Sequence, residues 1–235
     1  MAASFSLLEM DALAPGLSER EAWLSWAQSG LWPVAPMPAT PAIPAMTARR
    51  LSQDARLALQ LALPLIQTWQ PSRLLCVSRH GELARTFTLL QQLVAQQPLS
   101  PTDFSMSVHN TVAGLLTIVG EVALPAASLA AGANSFQAGL LEACATLSVE
   151  SGRILLLYFE GQLPAFYGSW QPEHEPAHAL ALVLEAGEQW RYLGSEATEP
   201  TEGNQALSFW RQHLLGQASI RLPGRRSPLW SCAAS

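Results

Sequence analysis

Lysine is absent from this chain, and all 13 of its cationic side chains are arginines. A Schiff-base lysine and a P-loop lysine are therefore excluded, and every positive charge is a planar guanidinium suited to bidentate contacts. Charge of either sign is scarce: 13 % of residues are charged, about half the ~25 % usual in globular chains. The net charge is −5 and the arginines form no long run, which argues against sequence-independent nucleic-acid binding. Cys76, Cys144 and Cys232 lie far apart with no CxxC pair, so neither a zinc ribbon nor a disulfide framework is indicated. No uninterrupted apolar run reaches the ~18 residues of a membrane span, and the opening MAASFSLLEMDAL lacks a basic leader. The expectation is a soluble cytoplasmic protein that needs no metal or cofactor.

What is abundant is apolar side chain, at 49 % of 235 residues. A chain of this length buries roughly 70 % of its unfolded surface. With so little charge to cover the outside, some apolar surface is expected to meet a partner. A proline-rich run at 33–44 blocks helix and central strand alike. Too little sequence precedes it to form a domain, so it is expected as a surface connection within a single domain spanning 1–235.

The pattern predicts strands at 3–8, 73–78, 126–130, 153–159 and 177–185. It predicts a helix opened by a capping box at Ser18 and Glu21, carrying Trp23, Trp26 and Ala27 on one face. Further helices are predicted over 47–68 (kinked or ended by Pro64), 82–96, 110–119, 135–148 and 205–215, with a loop-like tail from about 222. Alternating strands and helices indicate an α/β fold, a sheet with helices on both faces.

The candidate chemistry is thin. His174 and His178 are four apart, but Pro172 and Pro176 break any helix that would make this metal-ligand spacing, so a solvated loop is expected. No GxSxG elbow is present. Cys144 and Cys76 fall in apolar stretches, and Cys232 has no histidine beside it in sequence. Arg49, Arg50, Arg56, Arg73, Arg79 and Arg85 either meet an acidic partner or a phosphopantetheine phosphate, or pair locally with carboxylates such as Asp54 and Glu82. His109 and Asn110 stand at an otherwise apolar turn, where Asn110 reads as a helix cap.

Residues 45–186 resemble the N-terminal half of the β-ketoacyl synthases. The resemblance rests on Asn110, Ala113 and Gly114 in an N-x-x-A-G pattern, the small-residue strand Ala126–Ala130, the helix Ser135–Cys144, the strand Arg153–Gly161, and the strand Ala177–Glu185. It implies a thiolase-like fold, a mixed β-sheet sandwiched between helices, in which the nucleophilic cysteine sits on the sharp turn before the helix. Here that position falls on Ala133, or on Gly132 if the register slips by one, and neither side chain is a nucleophile. The family's histidine pair lies in a C-terminal half, and no second copy of the pattern follows residue 186.

A ketosynthase homologue without a nucleophile resembles a chain length factor, in the short form found in aryl polyene pathways. That resemblance implies a heterodimer, or a larger assembly, with a catalytic β-ketoacyl synthase, reached through the complex by an acyl carrier protein. It implies that strand Ala126, Ala127, Ser128, Leu129 and Ala130 pairs across the dimer axis. The acyl tunnel would be lined by Met106, Val108, His109, Thr111, Val112, Leu115 and Phe136, with Val108, Thr111 and Leu115 sharing one helical face. The alternatives are an acyltransferase or thioesterase using Ser135 or Cys144, and a purely structural stabilising subunit.

Overall fold

The computed structural model describes residues 3–170 and 175–233. The elements run β1 (Ser4–Leu13), α1 (Arg20–Ser29), α2 (Ala45–Ala48), α3 (Gln53–Trp69), β2 (Arg73–Val77), α4 (Leu83–Val94), α5 (Pro101–Ser105), α6 (Thr111–Val119), β3 (Ala126–Leu129), α7 (Ser135–Leu147), β4 (Arg153–Glu160), β5 (His178–Thr201), α8 (Gln205–Leu214), β6 (Ser219–Arg221) and β7 (Gly224–Cys232). The strands form one seven-stranded sheet in the order β3-β2-β4-β5-β7-β6, with β1 also paired to β5. β2 is parallel to both β3 and β4, whereas β4 and β5 are antiparallel.

The period-two alternation of a strand divides the sheet's side chains between two cores. Ile154, Leu156 and Tyr158 of β4, with Leu180, Leu182 and Leu184 of β5, face the core covered by α1, α7 and α8. Leu155, Leu157 and Phe159, with Ala179, Ala181 and Val183, face the core built on α3 and α6. Burial on both faces is why these strands read as continuous apolar runs.

Several boundaries differ from the sequence expectation. The region 47–68 is two helices. Ser52 breaks the run and caps α3, its Oγ accepting from Ala55 N–H at 3.3 Å. Pro64 does not end α3, which continues to Trp69; it stands on the exposed face, where water can reach the carbonyl it leaves free. The Ser18 capping box does not form: the residue before α1 is Glu19, and no side chain caps it. Nor does the Asn110 side chain cap α6. The tail from 222 is strand rather than loop, because β5 runs on to Thr201 and offers β7 a partner. Trp230 of β7 is fully buried against Phe5 and Tyr192. The run 33–44 is irregular, as its prolines require. Among the described residues, no helix is long and apolar enough to cross a membrane.

Candidate functional site

β3 lies at the edge of the sheet, with β2 as its neighbour on one side. Hydrogen bonds from Leu74 N to Pro125 O and from Ser78 N to Leu129 O aim the odd-numbered residues at β2. Alternation then turns the backbone N–H and C=O of Ala126, Ser128 and Ala130 toward the open edge. Small side chains leave that edge approachable: Ala126 and Ala130 are exposed, and Ala127, Ser128 and Leu129 half-buried.

The segment leading into α6 lies on the same flank. Val108 is exposed, Met106 and Leu115 half-buried, and Thr111 and Val112 buried against α3. Two hydroxyl oxygens here, Thr111 Oγ1 and Ser128 Oγ, are buried without a hydrogen-bond partner in the isolated chain. Phe136 does not join this group. It is fully buried on the other face of the sheet, packed edge-on against Tyr158 at 5.7 Å and against Phe209 at 5.5 Å.

Between β3 and α7 the chain makes a single tight turn, Gly132–Asn134, with Gly132 in the left-handed region at φ +59°. Ala133 is exposed on it. Ser135, the next hydroxyl, is 1 % exposed and fully engaged: its Oγ accepts from Ala131 N–H at 2.9 Å and donates to Gly132 C=O at 2.7 Å. It staples the turn. Gln205 braces the turn from α8 through Asn134 Oδ1.

A polar cluster that the sequence pattern does not single out lies where β2 and β4 end. Glu160 closes β4 at 6 % exposed, and Asp54 and Glu82 are 5 % exposed. Glu160 accepts from Ser78 Oγ at 3.2 Å and from Arg79 N–H, and its Oε2 lies 3.0 Å from His80 Nδ1. Loss of solvent, then the negative charges of Glu82 and Glu160, push the Asp54 carboxyl up to about 7. Burial also raises Glu82, against the pull of Ser52 and Arg85. A cleft of about 440 Å³ opens here, with Asp54, His80, Glu82, Phe87 and Leu163 in its walls. The signal was present as S-R-H-G-E directly after a buried strand and a glutamate ending another, since polar side chains at strand C-termini face the open end of an α/β sheet. Among the described residues no group of three or more His, Cys, Asp or Glu is arranged to hold a metal ion.

The remaining candidates resolve individually. His174 lies outside the described residues, and His178 is buried at the start of β5, not in a solvated loop. Its Nδ1 bonds Pro176 O at 2.9 Å and its Nε2 meets Asn204 Nδ2 at 3.1 Å. Burial pushes the Cys76 and Cys144 thiols up to about 12, far from a usable thiolate. Arg73 forms a bidentate pair with Glu150, and Arg85 pairs with Asp103 at 2.6 Å and Glu82 at 3.5 Å. Arg49, Arg50 and Arg79 are exposed.

A family model described as the β-ketoacyl synthase N-terminal domain matches residues 23–231. A chain from the complex of the ketosynthase ApeO with its chain length factor ApeC of Xenorhabdus doucetiae is 34 % identical; it superimposes at a TM-score of 0.90, covering 97 % of this chain and 99 % of that one. The ishigamide ketosynthase/chain length factor superimposes at 0.63 with 15 % identity, over 82 % of this chain and 66 % of that one. The module 1 ketosynthase of the bacillaene synthase from Bacillus amyloliquefaciens FZB42 gives 0.57 with 11 % identity, over 87 % of this chain but 48 % of that one. These last two show the fold alone. No curated protein sequence matches significantly. With more than half its length matched by the family model, this chain belongs to the β-ketoacyl synthase N-terminal domain family and has its thiolase-like fold.

Proposed function

We propose that the chain is a non-catalytic chain length factor that pairs with an active β-ketoacyl synthase and closes the far end of its acyl tunnel. The observation that carries this is the turn before α7. Ala133 stands exposed where the family's pattern puts the nucleophile, and a methyl group cannot attack a thioester. The neighbouring groups supply no substitute: Ser135 has its hydroxyl committed to the turn, and Cys144 is buried. An acyltransferase built on either residue is disfavoured for that reason.

The partner reading is supported by the open β3 edge and by apolar side chains left outside. Leu93, Phe104 and Ile118 are 59–72 % exposed. The relative in the ApeO–ApeC complex is covered over 99 % of its length. An aryl polyene or related polyketide setting, carrier-protein access through the partner and a cytoplasmic location belong to the same proposal. The work of this chain would be steric, since one methylene at a pocket wall is worth about 1–3 kcal/mol. The wall candidates are Met106, Val108, Thr111 and Leu115, with the Ala126–Ala130 strand at the junction.

The test is co-expression with the ketosynthase of the same gene cluster, affinity capture and native mass measurement. A stoichiometric complex that survives gel filtration is expected. A monodisperse chain that leaves every co-expressed ketosynthase unbound overturns the proposal.

A further inference from the structure

Not one residue from 90 to 110 is buried. The stretch that leads into α6 therefore lacks a fully buried side chain of the kind that contributes roughly 1.5–3 kcal/mol; Met106 packs against the α3 and α6 core only half-buried. The hydrogen bonds that tie it to the rest of the fold converge on the loop after β2 and the first turns of α4. Arg85 of α4 reaches Asp103 of α5 at 2.6 Å, and Thr86 Oγ1 donates to Ser107 C=O at 3.3 Å. His109 Nε2 lies 3.0 Å from the carbonyl oxygen of Ser78. A carbonyl accepts only, so Nε2 carries the proton.

The receiving loop is itself immobilised. Ser78 is fully buried; its Oγ donates to Glu160 and accepts from Gly81 N–H at 2.7 Å. Glu82 is held by Ser52 Oγ at 2.8 Å, at the cap of α3. His109 also fits this loop by shape. Gly81 has φ +53°, and a Cβ there would lie 2.8 Å from His109 Cδ2. The imidazole thus rests on a surface that only glycine leaves flat.

We infer that His109 is a positioning residue: docked on Ser78 and Gly81, it sets where the α6 wall stands and so where the acyl tunnel ends, without touching the acyl chain. The inference rests on the chain-length reading for its consequence but not for its geometry. It removes His109 from the tunnel lining and makes the Ser78–Glu82 loop, clamped by Glu160, the frame of the wall.

Three variants test it: His109→Phe, which keeps the bulk and loses the donor; Gly81→Ala, which displaces the ring; and His109→Gln, which restores a donor near Nε2. Hydrogen exchange on the isolated chain is read at the amides of 111–116, with those of β4 as the internal reference. His109→Phe and Gly81→Ala are expected to speed exchange at 111–116 on the order of tenfold, the loss of one hydrogen bond, with β4 unchanged and His109→Gln close to wild type. In the ketosynthase complex the first two shift the product-length distribution while stoichiometry holds. Unchanged exchange at 111–116 overturns the inference, as does an intact complex with faster exchange and unaltered products. If one variant does not fold, the other donor-loss or displacement variant decides against His109→Gln. Should the wild-type chain bind no ketosynthase, the chain-length reading fails on its own, and exchange still decides the positioning role.

Discussion

Asn134 Oδ1 accepts a 3.1 Å hydrogen bond from Nε2 of Gln205, joining the turn before α7 to a helix 71 residues later in the chain. The same carboxamide donates to Pro223 C=O at 2.9 Å and accepts from Gln137 N–H at 3.1 Å. Gln137 N–H lies in the first turn of α7, where no carbonyl of the helix can receive it, and Asn134 provides no cap. Gln205 does so from α8. The C-terminal elements thus hold the Ala133 turn in shape.

That arrangement predicts the effect of Gln205→Ala. The buried Gln137 amide loses its acceptor, which costs about 1–3 kcal/mol when such a group is left unpaired, and the exposed Asn134 loses its brace at little cost. The expected result is a lower urea midpoint with an unchanged slope, measured by far-UV circular dichroism. Gln205→Glu, which keeps the acceptor and loses the two donors, should fall between. A midpoint unmoved by Gln205→Ala would mean that water replaces the carboxamide at no cost.

The β3 edge gives a prediction in which folding and association separate. Ser128 N–H points away from β2, so proline at this position removes a donor from the open edge and leaves the β2 ladder intact. Ser128→Pro should retain a melting temperature within a few degrees of wild type and lose co-purification with the ketosynthase. Leu129→Pro, whose N–H faces β2, should destabilise the chain itself. Retained complex with Ser128→Pro would remove β3 from the interface.

Much of this molecule was legible in its sequence, for identifiable reasons. Strands β2 and β4 announce themselves because burial on both faces makes them continuous apolar runs. The Ala133 turn was found because a short pattern places it relative to Asn110. What escaped notice depends on partners distant in the chain. Trp230 is core only because β5 continues beyond Glu185 to meet β7, and no local pattern in L-P-G-R-R-S-P-L-W signals that. Phe136 and Val112 both look like helix-face residues, but only the sheet decides that they lie on opposite sides of it. Asp54, Glu82 and Glu160 read as separate surface charges until α3, α4 and β4 bring them together.

Those carboxylates make stability depend on pH. Asp54 is pushed from the ordinary 3.8 to about 7, first by burial and then by Glu82 and Glu160. The folded chain therefore holds a proton that the unfolded chain releases near pH 4. Stability from this group is full below the unfolded value and is lost as pH rises through the folded one. Unfolding free energy is expected to fall between about pH 4 and pH 7 by a few kcal/mol, at about 1.4 kcal/mol per pKa unit. The shift at Glu82 works in the same direction. Asp54→Asn should flatten the profile across this window and leave the chain more stable than wild type at pH 8. A profile that is flat in wild type, or unchanged in the variant, would show that Asp54 is ionised in the folded chain.

Phe136 and Leu115 divide core from wall. Phe136 has 1 % exposure and packs against Tyr158 and Phe209, so Phe136→Ala opens a cavity under the sheet and costs about 3–5 kcal/mol. Its expected signature is a lower melting temperature of the isolated chain. Leu115 is half-buried on α6, so Leu115→Ala costs little in the isolated chain. Its effect belongs to the complex: removing side-chain volume from the wall should lengthen the tunnel and move products toward longer chains, and Leu115→Trp should move them the other way. The measurement is product length by mass spectrometry alongside melting curves for the same variants. A length shift from Phe136→Ala with unchanged stability, and none from either Leu115 variant, would reverse the assignment and put the tunnel end on the α7 side of the sheet.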